Sequence, residues 1–413
     1  MKDIIIRDVL YNYISIERNS IIHELIDTLE FQRLRYIKQL GVSFLTYPCA
    51  THMRLSHGFG TYHLSKRISA NLEIEPDNQK MIEIAALLHD IGHTALSHVF
   101  EKEFTLHDHE YWTKEIIENK NTDINFKLSK NYDPKIISKR FIEGPSDPPY
   151  YHGIISSQLD IDRFDFLLRD SYFTGNPSGM FDIERLLRVI KPQEGLLTID
   201  LDKGKHVLEH YVMSRYLMYN VVYEHRVTVG IGEMLKMIIK RAIDNEETEG
   251  ISVYSPLYPI LNGEELDLED YIKLKDDEIF SAITVWKDCK DTILRDLCRN
   301  FLTRDILKPL KCPITITKFE ENKDKIRKVL EYYEIEPDYN LIFSKGYKKA
   351  TYIPYDVTSK EKEREDAIYF NDGTEIVEKL PQLEVLKLEK QPTLYLPSKV
   401  HDEVRRIIED KGG

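Results

Sequence analysis

The sequence predicts a mainly α-helical protein with a smaller α+β region at its C-terminal end. Three observations carry that expectation. Apolar residues recur at helical spacing through most of residues 21–311. Short apolar and β-branched runs bounded by turn residues gather after residue 313. The composition, 42% hydrophobic and 31% charged over 413 residues, is that of a globular chain large enough to divide into two or three units.

The elements follow in order. Residues 1–16 alternate apolar and polar and read as a short strand or hairpin. Residues 21–40 read as one helix, with Ile22, Leu25, Ile26, Leu29, Leu34 and Ile37 on its buried face and Gly41 as its C-cap. A turn at Pro48 carries Arg54 and His57 toward a second helical pattern over 62–72. Residues 81–88 begin the next helix, which ends in His89-Asp90. The segment YWTKEIIEN is helical again, and Pro134, Pro145, Pro148 and Pro149 bracket a loop-rich passage. Residues 157–172 place Asp162, Phe166 and Asp170 four apart on one helix face, with Arg163 and Arg169 close enough to pair with acidic neighbours.

Residues 206–243 form a long helical stretch in which Tyr216, Tyr219 and Tyr223 alternate with Arg215 and Arg226. Rings and guanidiniums together suit helix packing and also a nucleotide pocket. The charged run NEETEG, 245–250, reads as a boundary, and 251–311 as helical. Beyond it, ITITKF reads as strand, NKDKIRKVLEYY as helix, NLIFSKGY, AIYFNDG and PTLYLP as strands, 359–365 as a solvated loop, and the last residues as helix. The expected partition is 1–245 as a core unit, 246–312 as a helical extension and 313–413 as a small α+β unit.

A net charge of −13 argues against non-specific nucleic-acid binding, which requires a basic face. Cys49, Cys289, Cys298 and Cys312 have no CxxC spacing, so neither a zinc knuckle nor a disulfide framework is indicated. The N-terminus is too short and charged for a signal peptide, and there is no apolar run of about 18 residues. These features together lead us to expect a cytoplasmic protein with no membrane association.

The chemistry concentrates in IEIAALLHDIGHTALSHVFE, 82–101. Here an apolar helix ends in adjacent imidazole and carboxylate, and His89 and His93 are spaced to share a helix face. Of 14 histidines, His52, His57, His63, His89, His93, His98, His107 and His109 fall within 52–109, which points to one site rich in proton carriers and metal ligands.

The order His57, then His89-Asp90, then an aspartate in 160–170 resembles the HD-domain metal phosphohydrolase superfamily, so the helical core is expected to be an HD domain. The segments FQRLRYIKQLG, RLSHGFG, HDIGHTALSHVFE, LDIDRFDFLLRDSYFTG and SRYLMYNVVYEHR occur in the order seen in deoxynucleoside triphosphate triphosphohydrolases. That family includes bacterial dNTPases and the mammalian SAM-and-HD-domain enzyme, and the resemblance spans roughly 1–240, with no SAM domain expected ahead of the core.

The resemblance implies hydrolysis of a dNTP to deoxynucleoside and inorganic triphosphate. It implies His57, His89, Asp90 and Asp162 as metal ligands, with Asp162 preferred over Asp160, Asp165 and Asp170. Two imidazoles and two carboxylates suit Mg, Mn, Fe, Ni or Zn. Phosphate contacts fall to Arg54, Arg163 and Arg215, and Arg163 stands where the mammalian enzyme has lysine. His98 and His109 match catalytic histidines, and His93 and Glu101 match supporting positions of the same catalytic site. Gln39 and Asp170 match contacts to the 3′-hydroxyl, and Tyr223 a ring under the deoxyribose where a 2′-hydroxyl would clash. Phe166 departs from a family tyrosine and Tyr219, near the substrate, from a histidine.

Asp27, Gln32 and Arg35 match residues that read an activating guanine nucleotide (GTP or dGTP) in the mammalian relative, where activator binding lies between subunits; a dNTP is another possible activator here. Ile4 and Arg7 replace the lysine and asparagine of that site, so the resemblance implies an altered activator site in a homo-oligomer, dimer or tetramer. Two other functions fit a chain of this kind. One is an HD phosphodiesterase or nucleotidase acting on another nucleotide. The other is a nucleotide-sensing scaffold with little turnover.

Overall fold

The computed structural model describes residues 3–101, 103–144, 146–346, 367–386 and 391–410. The described residues are 59% helix and 8% strand, the mainly α class expected. Among the described residues, no helix is long and apolar enough to cross a membrane.

The chain opens with the expected hairpin. Strand Ile4–Asp8 pairs antiparallel with Asn12–Ile16, Ile4 opposite Ile16 and Asp8 opposite Asn12. The single helix expected over 21–40 is instead broken into pieces. Helix Ile21–Ile26 stops, and Thr28 caps a new turn, Leu29–Gln32, by accepting the Phe31 N–H. After a 3₁₀ turn at Arg33–Tyr36 the chain is extended at Ile37. Of the expected buried face, Ile22, Leu25, Ile26, Leu34 and Ile37 lie in one core, joined by Phe31, but Leu29 is exposed because the break at Thr28 turns it outward. Gly41 is not a C-cap. It opens a 3₁₀ turn, Gly41–Leu45, at φ +49, where a Cβ would stand 2.8 Å from the Leu96 carbonyl oxygen.

Helix Arg54–Asn71 starts eight residues before the predicted pattern of 62–72. Its first turns bury Leu55 and Phe59 together with Arg54, His57, Gly58 and Gly60, so polar residues and glycines dilute the apolar stripe there. Helix Pro76–Leu88 begins on proline at its first turn and ends at Leu88. His93 therefore lies past the helix end, in a turn where its N–H reaches the Asp90 carbonyl at 3.2 Å, and it does not share a helix face with His89. Helix Ile161–Thr174, capped by Asp160, carries Asp162, Phe166 and Asp170 as predicted.

The long stretch at 206–243 is two helices. Leu201–Met218 runs into a π turn at Tyr219–Tyr223, and Arg226–Asp244 starts after an extended His225. The break has a packing reason. Leu208, Tyr211, Val212 and Met218 lie in the first apolar cluster, with the hairpin and helices 54–71, 76–88 and 161–174. Ile231, Leu235, Ile238 and Ile239 lie in a second, with Trp286, Leu294, Leu297 and Phe301. The second cluster also takes in Val42, Ala95, Leu96 and Phe100.

A third cluster packs helices Ile316–Tyr332 and His401–Glu409 on a sheet in which Thr393–Leu396 lies between Lys308–Pro309 and Ile342–Ser344, all antiparallel. ITITKF is not a strand: Thr315 caps the helix that starts at Ile316, and Phe319, Ile326 and Leu330 form its buried face. Strand Tyr369–Phe370 joins a different sheet. It pairs parallel with Leu196–Ile199, and Ile368, Phe370, Ile376 and Leu383 enter the first cluster. The 359–365 loop lies outside the described residues.

Candidate active site

Three helices bring four metal-type ligands together. His57 comes from the second turn of Arg54–Asn71, His89 and Asp90 from the end of Pro76–Leu88, and Asp162 from the first turn of Ile161–Thr174. One ligand atom from each lies within 4.8 Å of the others. Asp162 Oδ1 is 3.0 Å from His57 Nε2 and 3.5 Å from His89 Nε2, and Asp90 Oδ1 is 3.5 Å from His89 Nε2. Both Nε2 atoms are buried and lack a hydrogen-bond partner of proper geometry.

The back of each imidazole is held. His57 Nδ1 donates to Asp165 Oδ2 at 2.8 Å, and His89 Nδ1 to the Ala86 carbonyl at 2.9 Å, so each ring points Nε2 at the two carboxylates. Burial alone would push the His57 imidazole down, but Asp162 and Asp165 outweigh it and raise it to about 10. Burial opposes charge on Asp90 and Asp162, and neighbouring imidazoles overcome it: His89 and His93, with Arg54, hold Asp90 well below the carboxylate range, and His57 and His89 lower Asp162. Partnerless, inward-facing Nε2 atoms beside two ionised carboxylates fit a divalent ion.

A cavity of about 610 Å³ opens over this cluster. Its wall includes Asp90 and Asp162 together with the predicted Gln39, Arg54, His93, His109, Arg163, Asp170, Tyr219 and Tyr223. Arg54 Nη1 donates to Asp90 Oδ2 at 2.6 Å and its Nε to Ser97 Oγ at 2.9 Å. Arg163 is anchored by Asp160 and the Ser157 carbonyl. Arg215 is not at the wall; its Nη1 donates to Gln158 Oε1 at 2.6 Å. Both oxygens of Glu101, fully buried, face imidazoles: Oε1 is 2.7 Å from His93 Nδ1 and Oε2 3.3 Å from His109 Nδ1, and the two rings stack at 3.8 Å. His98 belongs to the 3₁₀ turn Ser97–Val99, and its side chain lies outside the described residues.

At the other side, Asp170 is shared. Its Oδ1 lies 2.7 Å from His52 Nε2, and its Oδ2 accepts from the Tyr223 hydroxyl at 2.8 Å. Phe166 and Tyr219 meet the Tyr223 ring edge-on, at 5.9 and 5.0 Å. The Gln39 carboxamide oxygen is buried without a hydrogen-bond partner. Asp27, Gln32 and Arg35 are away from this cavity; Arg35 Nε donates to Gln32 Oε1 at 2.6 Å, and Asp27 faces His23 at 3.7 Å.

Sequence reasoning missed three residues here. Asp165 orients His57, and His52 orients Asp170; Asp165 had a signal only as an aspartate passed over for the metal site, and His52 as a member of the histidine cluster. Asp276, at the start of helix Asp276–Trp286, accepts from Lys38 N–H at 3.0 Å and Leu96 N–H at 2.8 Å. With the Thr94 hydroxyl donating to Leu274 O and the Tyr271 hydroxyl to Gly92 O, segment 271–276 of the second cluster pins the loop 92–97. That loop holds two successive left-handed residues, Leu96 and Ser97, a strained backbone that needs such anchoring.

Helices that converge histidine, His-Asp and aspartate under an arginine-lined cavity define a metal-centred phosphohydrolase site. The HD domain family matches residues 54–165, and the HD associated region matches 181–256. The uncharacterized protein YwfO of Bacillus subtilis is 35% identical over 375 residues, 87% of this chain and 83% of that protein. A Dictyostelium discoideum protein named deoxynucleoside triphosphate triphosphohydrolase SAMHD1 homolog is 29% identical over 332 residues, 74% of this chain and 59% of that protein. The crystal structure of a phosphohydrolase from Bacteroides thetaiotaomicron superposes with a TM-score of 0.80 at 26% identity, covering 96% of this chain and 99% of that one. The chain belongs to the HD-domain metal-dependent phosphohydrolase superfamily.

Proposed function

We propose that this chain hydrolyses deoxynucleoside triphosphates to deoxynucleoside and inorganic triphosphate. The observation that carries the reading is the proximity of two half-sites in one cavity. The His57–His89–Asp90–Asp162 cluster forms one side, and the pinned Tyr223–Asp170 pair beside the Gln39 carboxamide forms the other.

His57, His89, Asp90 and Asp162 would hold a divalent ion, which would supply Lewis-acid charge and lower the pKa of a bound water. The chain's own residues do the rest. A dNTP carries about four negative charges, and Arg54 and Arg163 at the wall offset part of them, with Arg215 adding positive potential from behind. His109, held at Nδ1 by Glu101, is oriented to give a proton from Nε2 to the leaving 5′-oxygen, and His98 shares that assignment. Gln39 and Asp170 hold the 3′-hydroxyl. The Tyr223 ring, fixed through its hydroxyl, occupies the space a 2′-hydroxyl needs. Regulation by a nucleotide at Asp27, Gln32 and Arg35, in a dimer or tetramer, is the second half of the reading.

Purified protein incubated with each dNTP and NTP, with Mn or Mg and with or without GTP or dGTP, tests it by chromatography of the products. Triphosphate and deoxynucleoside are expected from dNTPs, and neither from a variant carrying His89→Ala and Asp90→Ala. Pyrophosphate or orthophosphate instead would show that another bond breaks, and no turnover under any combination would sink the reading. Sedimentation with and without GTP or dGTP tests the regulatory half, which fails if assembly and rate are both unchanged.

A further inference from the structure

The N-terminal hairpin reaches the back of the metal cluster. Four donors converge on the fully buried Asp165 carboxylate. The Tyr11 hydroxyl and Arg169 Nη2 reach Oδ1 at 2.8 and 2.9 Å, and His57 Nδ1 and Arg169 Nε reach Oδ2, both at 2.8 Å. That fills the acceptor capacity of a carboxylate, so Asp165 is ionised and His57 carries its hydrogen on Nδ1. His57 Nε2, the atom aimed at Asp90 and Asp162, is thereby the ring nitrogen that would give up its proton and offer its lone pair to a bound ion.

Two of the supports come from the hairpin turn. Asp8 Oδ1 accepts the N–H groups of Leu10 and Tyr11 and so shapes the turn, while Asp8 Oδ2 accepts from Arg169 Nη1 at 2.8 Å. Tyr11 is steadied by stacking on His63 at 4.7 Å. The fold leaves room for the network: a Cβ at Gly60, one turn beyond His57, would stand 1.8 Å from Asp165 Oδ1 and 2.6 Å from Arg169 Nη2.

We propose that Tyr11 and Asp8 are positioning residues of the metal centre, acting through Asp165 and Arg169 to fix the tautomer and orientation of His57, so that metal affinity depends on the hairpin turn. The proposal rests on the reading that His57, His89, Asp90 and Asp162 hold a divalent ion. Tyr11→Phe keeps the ring and removes one donor from Asp165. Asp8→Asn weakens the hold on Arg169.

The test is titration of metal-free protein with Co(II), followed by calorimetry and by visible absorption of the cobalt protein. Tyr11→Phe is expected to weaken Co(II) binding about 10-fold, within the range for lost outer ligand partners, and to shift the absorption bands. Asp8→Asn is expected to act in the same direction. Tyr13→Phe, at an exposed hairpin tyrosine that makes no bond to Asp165, is expected to match wild type. A lowered melting temperature of metal-free Tyr11→Phe with unchanged Kd and spectrum would mean a merely structural role and overturn the proposal. If His89→Ala binds Co(II) as wild type does, the metal assignment itself falls.

Discussion

His52 Nε2 lies 2.7 Å from Asp170 Oδ1, with both side chains almost fully buried, and this contact leaves Asp170 Oδ2 to the Tyr223 hydroxyl. The histidine thereby fixes the carboxylate that fixes the tyrosine ring. Tyr223→Ala is expected to admit ribonucleotides, lowering the dNTP-to-NTP ratio of kcat/KM by at least about 10-fold. Tyr223→Phe keeps the ring but frees it from Asp170, and is expected to lower the ratio by less. Competition assays with paired dNTP and NTP substrates measure both.

Asp90 faces three imidazoles, of His57, His89 and His93, and the Arg54 guanidinium. Asp90→Ala removes one of the four proposed ligands and leaves these cations to repel one another. Bound metal, measured by elemental analysis, is expected to fall, and kcat to drop to under about 1% of wild type. Retained activity with lost metal would exclude the cluster from the reaction.

Glu101 is the shared acceptor of His93 and His109. Glu101→Gln replaces a pure acceptor with a group that donates on one side, so only one ring keeps its partner. We expect kcat to fall about 10- to 100-fold with KM little changed, since the loss is of orientation and not of phosphate contact. A rise in KM at constant kcat would place the pair in binding instead.

Away from the cavity, Arg241 binds Asp291 at 3.1 and 2.6 Å, and Asp291 Oδ1 also accepts the Leu294 N–H at the start of helix Thr292–Leu302. The Arg241 guanidinium holds the Asp291 carboxyl down to about 2. A carboxyl depressed on folding stabilises above its unfolded pKa of about 3.9 and loses that contribution as pH falls toward its folded value. Asp291→Asn keeps the cap and loses the charge. It is expected to destabilise by about 1 kcal/mol at pH 7, a discounted figure for a partly solvated pair, and the gap to wild type should close between about pH 4 and 2. Urea unfolding midpoints across that range measure it.

The His/Asp cluster that could hold a metal was legible because its residues sit in a recognisable order, with His89-Asp90 adjacent at the end of an apolar helix. The residues that orient those ligands were not. Asp165 is 108 positions from His57, and His52 is 118 from Asp170, so only the packed chain pairs them. Helix breaks were hidden for a related reason. Periodicity reports which residues are buried, and Phe31 and Val222 stay buried through the breaks at Thr28 and Tyr219–Tyr223, while the changes of direction expose Leu29 and Val221. In ITITKF, β-branched residues suggested a strand, but the Thr315 cap and the buried face of Phe319, Ile326 and Leu330 favour a helix.

Asp276 holds the loop 92–97 from a helix that contributes nothing to the metal cluster. Catalytic competence is thus mortgaged to a remote layer of the molecule. On heating, softening of the 276–302 helices would release Leu96 and with it the arrangement of Arg54 and Ser97, while the hairpin and the ligand helices stay folded. Inactivation should therefore precede the main loss of helical circular dichroism.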